Sequence, residues 1–148
     1  MTIREASESD IGNLMTLERD SATAAHWTAR QYQTAISGDG PQRVVLVIER
    51  DSGITGFLVA RQIEREWEVE NVVVASSARR EGLGTRLVRE FLDRAREKAG
   101  QSAFLEVRAS NEAARALYEK NGFTVTGHRR GYYQDPQEDA MLYRFTFT

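Results

Sequence analysis

The sequence predicts a mixed α/β domain of the α+β kind, with helices packed on one mostly antiparallel sheet. Three observations lead there. Residues 44–49, 54–61 and 67–74 read as strands, the third ending in the apolar, β-branched run Val72-Val73-Val74, and they are joined by tight turns at Asp51-Ser52-Gly53 and near Glu64-Arg65-Glu66; links that short make antiparallel neighbours. Behind the third run the period turns helical, with Leu87, Val88, Phe91, Leu92, Ala95 and Ala99 on one face. Phe104-Leu105-Glu106-Val107 then forms a further strand, and strands joined by a helical crossover are parallel and connected right-handedly.

The other elements follow in order. Ile3 starts a first short strand; Ser7 and Asp10 mark a helix start, with Ile11, Leu14 and Met15 as its core stripe. The chain turns around His26-Trp27-Thr28, and Thr28 with Gln31 fits a capping box for a second short helix through Tyr32 and Ile36. Ser37-Gly38-Asp39-Gly40-Pro41 breaks that pattern. The long helix stops near Gly100; the last helix begins at Ser110-Asn111, pairs Ala113 with Leu117 and Ala114 with Tyr118, and closes at Asn121-Gly122. Residues 123–133 and 140–147 read as two strands around a polar loop.

Length and composition bound the function. The 148 residues make one domain, residues 1–148, and 41% hydrophobic with 28% charged residues is the balance of a folded chain. A net charge of −2 implies no broad basic surface, so no nucleic-acid partner is expected. The absence of cysteine excludes disulfides, thiolate metal sites and any acyl group carried on a protein thiol, and it suits a reducing, cytoplasmic setting. The N-terminus has no apolar signal region and no run reaches membrane-spanning length, so no membrane partner is expected. His26 and His128 are the only histidines, too few for a histidine metal site, and no metal is expected.

The chemistry centres on Val72-Val73-Val74 and the loop that follows, which carries Arg79, Arg80, Glu81, Gly82, Leu83, Gly84 and Thr85. A strand, a glycine-punctuated turn and a helix point the free N–H groups of the first helical turn at whatever lies beyond the strand, a setting that favours an anion such as phosphate. Gly82 and Gly84 carry no Cβ to obstruct close approach, and Arg79 and Arg80 add positive charge. An ordinary strand-to-helix turn accounts equally well for the glycines. Two other phosphate loops fail: the dinucleotide fingerprint wants a glycine where Leu87 stands, and no nucleoside-triphosphate loop with Gly-Lys-Ser/Thr occurs.

Arg79-x-x-Gly82-x-Gly84 between a strand and a helix resembles the acetyl-CoA loop of the GNAT N-acetyltransferases. Leu105-Glu106-Val107-Arg108-x-Ser110-Asn111, Ala116-Leu117-Tyr118-Glu119, Gly122-Phe123, Arg129-Arg130-x-Tyr132-Tyr133 and Glu138-Asp139-Ala140 resemble the RimI-type subgroup, which acetylates N-terminal alanine of ribosomal proteins. Ser76 and Arg80 depart from the pattern, standing where many relatives carry proline and glycine. The resemblance implies a single GNAT domain with helices on both faces of its sheet and acetyl-CoA as co-substrate. It implies backbone contacts to the acetyl and pantetheine end from Val72, Val73 and Val74. By the same resemblance Arg80, Glu81, Gly82, Leu83, Gly84 and Thr85 form the diphosphate cradle, with Arg79 beside it, and Asn111 bonds the cofactor arm. Glu106 is then the proton acceptor and Tyr118 the proton donor. The implied acceptor is the N-terminus of a small-subunit ribosomal protein, with Glu138 and Asp139 holding its basic residues. Lysine side chains or small amines are the alternative acceptors, and a non-catalytic acyl-CoA-binding module is the alternative from another class.

The residue types suit acetyl transfer. A peptide α-amino group has a pKa of about 7.7–8.0, low enough for a carboxylate to deprotonate it directly or through water. A tyrosine can protonate the departing thiolate in a dry site, and backbone N–H groups can stabilise the carbonyl oxygen. Each residue also has a structural account: Glu106 as a solvent-facing strand residue or an arginine's partner, Tyr118 as core, Asn111 as a helix cap, Tyr132 and Tyr133 as strand filling.

Overall fold

The computed structural model describes residues 1–21 and 24–148. Its centre is a pair of strands buried on both sides, β2 (Arg43–Arg50) and β3 (Gly53–Ile63). Alternation along them divides the core. Val44, Leu46, Ile48, Leu58 and Ala60 face one apolar cluster, while Val45, Val47, Phe57 and Val59 face a second on the other side of the sheet. The second cluster is closed by α1 (Ile11–Arg19) and α2 (Ala29–Ser37), through Leu14, Tyr32 and Ala35. The first is closed by α3 (Leu83–Glu97) and α4 (Glu112–Lys120), through Leu87, Phe91 and Tyr118. Helices therefore cover both faces, as the resemblance implies.

With β1 (Thr2–Glu5), β4 (Glu66–Val74), β5 (Ser102–Arg108), β6 (Thr124–Tyr133) and β7 (Glu138–Thr146), the strands order as β1-β2-β3-β4-β5-β7-β6. Among the described residues only β4 and β5 run parallel, on either side of the α3 crossover.

Two irregularities shape the middle of this sheet. First, β4 and β5 pair only from Glu66↔Ser102 to Glu68↔Phe104 and then part, opening a wedge. Second, β4 bulges: Ala60 pairs with Val69 and Val59 with Asn71, leaving Glu70 as the extra residue. One added residue reverses which face each later side chain takes. Trp67 and Val69 pack on the α3 side before the bulge; beyond it Val72 and Val74 take that side and Val73 joins the α1–α2 cluster.

The sequence signals at helix ends hold in detail. The Thr28 N–H donates to Gln31 Oε1 at 2.7 Å and the Gln31 N–H to Thr28 Oγ1 at 3.2 Å, a reciprocal capping box. One reading needs correction. The long helix ends at Glu97, and the left-handed residue after it is Ala99 (φ +58°), not Gly100. Gly100 is glycine for want of room: a Cβ there would lie 2.9 Å from the Ala95 carbonyl oxygen and 3.2 Å from the Trp67 ring.

Candidate active site

The wedge between β4 and β5 holds a cavity of about 440 Å3, lined by residues from both faces of the sheet. On β5, Leu105 and Val107 point into the α3 side, so Glu106 between them faces the α1–α2 side. From the opposite side α4 contributes Asn111 at its N-terminus and Tyr118 two turns on. Glu106, Asn111 and Tyr118 line this one cavity, together with Asn71, Val72, His26 and Tyr133.

Glu106 is part-exposed, and its Oε1 lies 3.5 Å from the Arg129 guanidinium. The ordinary account of it as an arginine's partner is thus true as well, and it leaves the carboxylate on the cavity wall. Tyr132, whose ring lies under Arg129, has its phenol pushed up first by the hydrogen-bonding influence of Glu106. Tyr118 is a core residue by packing, with its ring against Phe123 and Tyr143. Burial pushes its phenol well above the ordinary tyrosine range. Its hydroxyl bonds to no other described residue. Asn111 also serves twice: Oδ1 caps α4 by accepting from the Ala114 N–H at 3.2 Å, and its residue lines the cavity.

The loop from β4 to α3 is shaped by its backbone. After a short 3-10 turn (Ser76–Ala78), Arg80 and Gly82 are left-handed at φ +68° and +76°. The first α3 bond runs from the Arg86 N–H to the Gly82 oxygen at 3.1 Å. Among the described residues nothing accepts from the N–H groups of Leu83, Gly84 or Thr85. Those donors, the dipole behind them and the left-handed turn make a cup for an anion. A Cβ at Gly82 would meet nothing within 4 Å among the described residues. The left-handed φ of Arg80 explains why glycine suits this position in the family pattern.

Other side chains in the loop have separate duties. Gly84 lets α3 approach α4, since a Cβ there would sit 3.2 Å from a Leu117 methyl. The Leu83 side chain belongs to the core and Val73 to the opposite cluster, so both can offer a ligand only backbone. The Glu81 carboxylate is held by Arg50 at 2.9 Å. Arg79 and Arg80 are exposed and Thr85 is half-buried. Val72 lines the cavity, while Val74 packs on the α3 side.

Glu138 and Asp139, expected to hold the acceptor's basic residues, already have partners within the chain. Glu138 accepts from the Ser110 N–H at 2.6 Å and pairs with Arg108 at 3.3 Å; Asp139 accepts from the Gly131 N–H at 2.9 Å. Both carboxylates are engaged in fastening the β6–β7 loop to the sheet. Arg108 completes that fastening through the Gln134 and Pro136 carbonyls, each at 3.0 Å, and lies over the Tyr133 ring. Tyr133, pushed up to about 12 chiefly by burial, forms a cavity wall rather than mere strand filling.

A profile of the acetyltransferase (GNAT) family matches residues 11–123, most of the chain. The chain belongs to the GNAT family. Among curated relatives, the ribosomal protein bS18-alanine N-acetyltransferase of Salmonella typhimurium (strain LT2) is 32% identical over 143 residues, 95% of this chain and 94% of that one. The protein of the same name from Escherichia coli (strain K12) is 32% identical over 120 residues, covering 80% of this chain and 81% of its own. The crystal structure of the Escherichia coli ribosomal-protein-S18-alanine N-acetyltransferase superposes with a TM-score of 0.85 at 27% identity, covering 99% of this GNAT chain and 94% of that structure.

Missing from the sequence reading are Asn71, His26 and Tyr133 as cavity residues and Arg129 as the neighbour of Glu106. Arg129 and Tyr133 left a trace, as parts of the Arg129-Arg130-x-Tyr132-Tyr133 motif. The others depend on how distant strands and loops converge.

Proposed function

We propose that this GNAT chain is an acetyl-CoA-dependent N-terminal acetyltransferase, acting in the cytoplasm on the N-terminal alanine of a small-subunit ribosomal protein. One observation carries the reading: a single cavity is lined by Glu106 from one face of the sheet and by Asn111 and Tyr118 from the other. The relatives named for bS18-alanine acetylation, matched over nearly the whole length, support the acceptor.

The open cup at Gly82 and the unanswered N–H groups of α3 fit a diphosphate, and the wedge fits a narrow pantetheine arm. Bound there, acetyl-CoA supplies an acetyl group activated as a thioester. Beyond Glu68 the edge of β4 has no strand partner, so Val72–Val74 backbone groups can hold the acyl end and its carbonyl oxygen. Glu106 takes a proton from the acceptor's ammonium, an exchange eased by the α-amino pKa of about 7.7–8.0. Tyr118, kept protonated by burial, gives its hydroxyl proton to the departing sulfur.

The test is incubation with acetyl-CoA and a panel of Ala-, Ser- and Met-starting peptides, lysine peptides and polyamines, with the acetyl group located by mass spectrometry. Acetylation of the α-amine of Ala-starting peptides is the expected result. Transfer to lysine or polyamine alone overturns the acceptor, and binding without turnover on any amine overturns the enzyme.

A further inference from the structure

Asn71 follows three part-buried glutamates on β4, Glu66, Glu68 and Glu70, but unlike them it is buried, only 8% exposed. A buried amide is unfavourable unless its hydrogen bonds are made. Its donor side is satisfied: Nδ2 donates to the Ala25 carbonyl oxygen, in the loop between α1 and α2, at 3.2 Å. That bond also fixes which way the amide faces. A carbonyl oxygen only accepts, so the nitrogen must point at it and Oδ1 must point elsewhere.

No described residue donates to Oδ1. Nor is Oδ1 sealed in: among the described residues the fully buried side-chain atoms without a partner are Thr55 Oγ1 and Trp67 Nε1. Asn71 lines the cavity, so its oxygen opens there. The bulge at Glu70 decides which part of the cavity this is. Without the extra residue Asn71 would continue the Trp67 and Val69 series on the α3 side. With it, Asn71 shares the α1–α2 face with Glu106, across the wedge from it.

We propose that Asn71 is an acceptor-binding residue, its amide oxygen receiving one hydrogen of the incoming amine while Glu106 takes the proton to be removed. This rests on the amine acceptor proposed above. The chemistry balances: the ammonium loses one proton to Glu106 and its freed lone pair forms the C–N bond. A second N–H proton leaves the adduct to solvent as the C–S bond breaks and Tyr118 protonates the thiolate. The third N–H, held by Asn71 Oδ1, stays in the amide. Two acceptors placed across a wedge fix the nitrogen's orientation as well as its position.

The α1–α2 loop does not depend on Asn71 alone, which makes the inference testable. The Trp27 N–H donates to Glu18 Oε1 at 3.1 Å, and Arg43 lies over the Trp27 ring while bound to Glu70 at 2.9 Å.

Steady-state kinetics of Asn71→Leu and Asn71→Asp, with calorimetry of acetyl-CoA binding, separate the roles. Losing a hydrogen bond to a charged or polar group should raise the acceptor KM of Asn71→Leu by about 10-fold or more. Acetyl-CoA affinity should stay within about twofold. Asn71→Asp loses the bond to Ala25 but keeps acceptor oxygens, so its acceptor KM should return to within about threefold of wild type. A wild-type acceptor KM in Asn71→Leu overturns the proposal. So does a parallel loss of acceptor and acetyl-CoA affinity in both variants, which marks a purely structural residue. A wild-type enzyme that spares Ala-starting peptides but acetylates lysine peptides or polyamines overturns the proposed function instead. The same two variants are then read on that amine, with the same outcomes deciding.

Discussion

The cup at the start of α3 and the cavity wall are built by different means. On the α3 side the cup is made of backbone: two left-handed residues, a helix start without a side-chain cap, and N–H groups with no described acceptor. On the α1–α2 side the wall is made of side chains from distant segments, with Glu106 from β5, Arg129 from β6, Asn71 from β4 and the loop pinned by Glu18. A backbone cup needs a few consecutive residues with the right torsions, so it leaves a local signature in the chain. A side-chain wall needs correct folding of the whole sheet, and one bulge can reassign its residues.

Substitutions can break or sharpen that contrast. Glu106→Gln removes the proposed base and should lower kcat on an Ala-starting peptide by about 10²-fold or more, with acetyl-CoA affinity by calorimetry unchanged. Tyr118→Phe keeps the ring contacts to Phe123 and Tyr143, so the melting temperature should hold while transfer slows by about 10- to 100-fold. Because burial holds this phenol above its usual range, wild-type kcat should show no alkaline decline from Tyr118 ionisation below pH ~10.

The cup answers to torsion instead. At φ +76° with open space around its Cβ position, Gly82→Val should strain the backbone by about 1–2 kcal/mol and weaken acetyl-CoA about tenfold, read by calorimetry, without a clash in the core. The wall answers to buried hydrogen bonds. The Tyr32 hydroxyl donates to the Glu18 carboxylate, which is only 3% exposed. Tyr32→Phe should therefore destabilise the fold in urea by about 1–3 kcal/mol and raise the acceptor KM, sparing acetyl-CoA.

The smallest effect lies farthest from the cavity. The Arg4 guanidinium, at 2.8 Å, holds the Asp10 carboxyl below its ordinary value. That stabilisation is complete above an unfolded aspartate pKa of about 3.9 and is lost as pH falls through the lower folded value. Arg4→Met should thus be less stable than wild type at neutral pH, and the two should converge in acid, as followed by thermal melts.

The contrast also explains what could be read from the residues. The strands, the capping box at Thr28 and the Asn111 cap were visible because each is a local pattern of period, turn or cap. The loop from Arg79 to Thr85 was visible for the same reason, although the sequence alone did not distinguish the spatial need of Gly84 from the torsional need of Gly82. Glu138 and Asp139 looked free because their partners, Ser110 and Gly131, are brought to them only by the pairing of β7 with its neighbours. Asn71 was hidden by parity: simple alternation from Trp67 assigns it to the wrong side, and a one-residue bulge carries no mark in the letters.

A gap between two strands of one sheet, walled from both of its faces, sets the donor's place apart from the amine's. A donor entering over α3 and an amine entering beside α1 and α2 need not pass each other, so each can load while the other is in place. With no thiol in the chain to carry the acyl group between half-reactions, such a layout predisposes the protein to hand the group over directly in a ternary complex, and to let the two spent molecules leave by the routes they came.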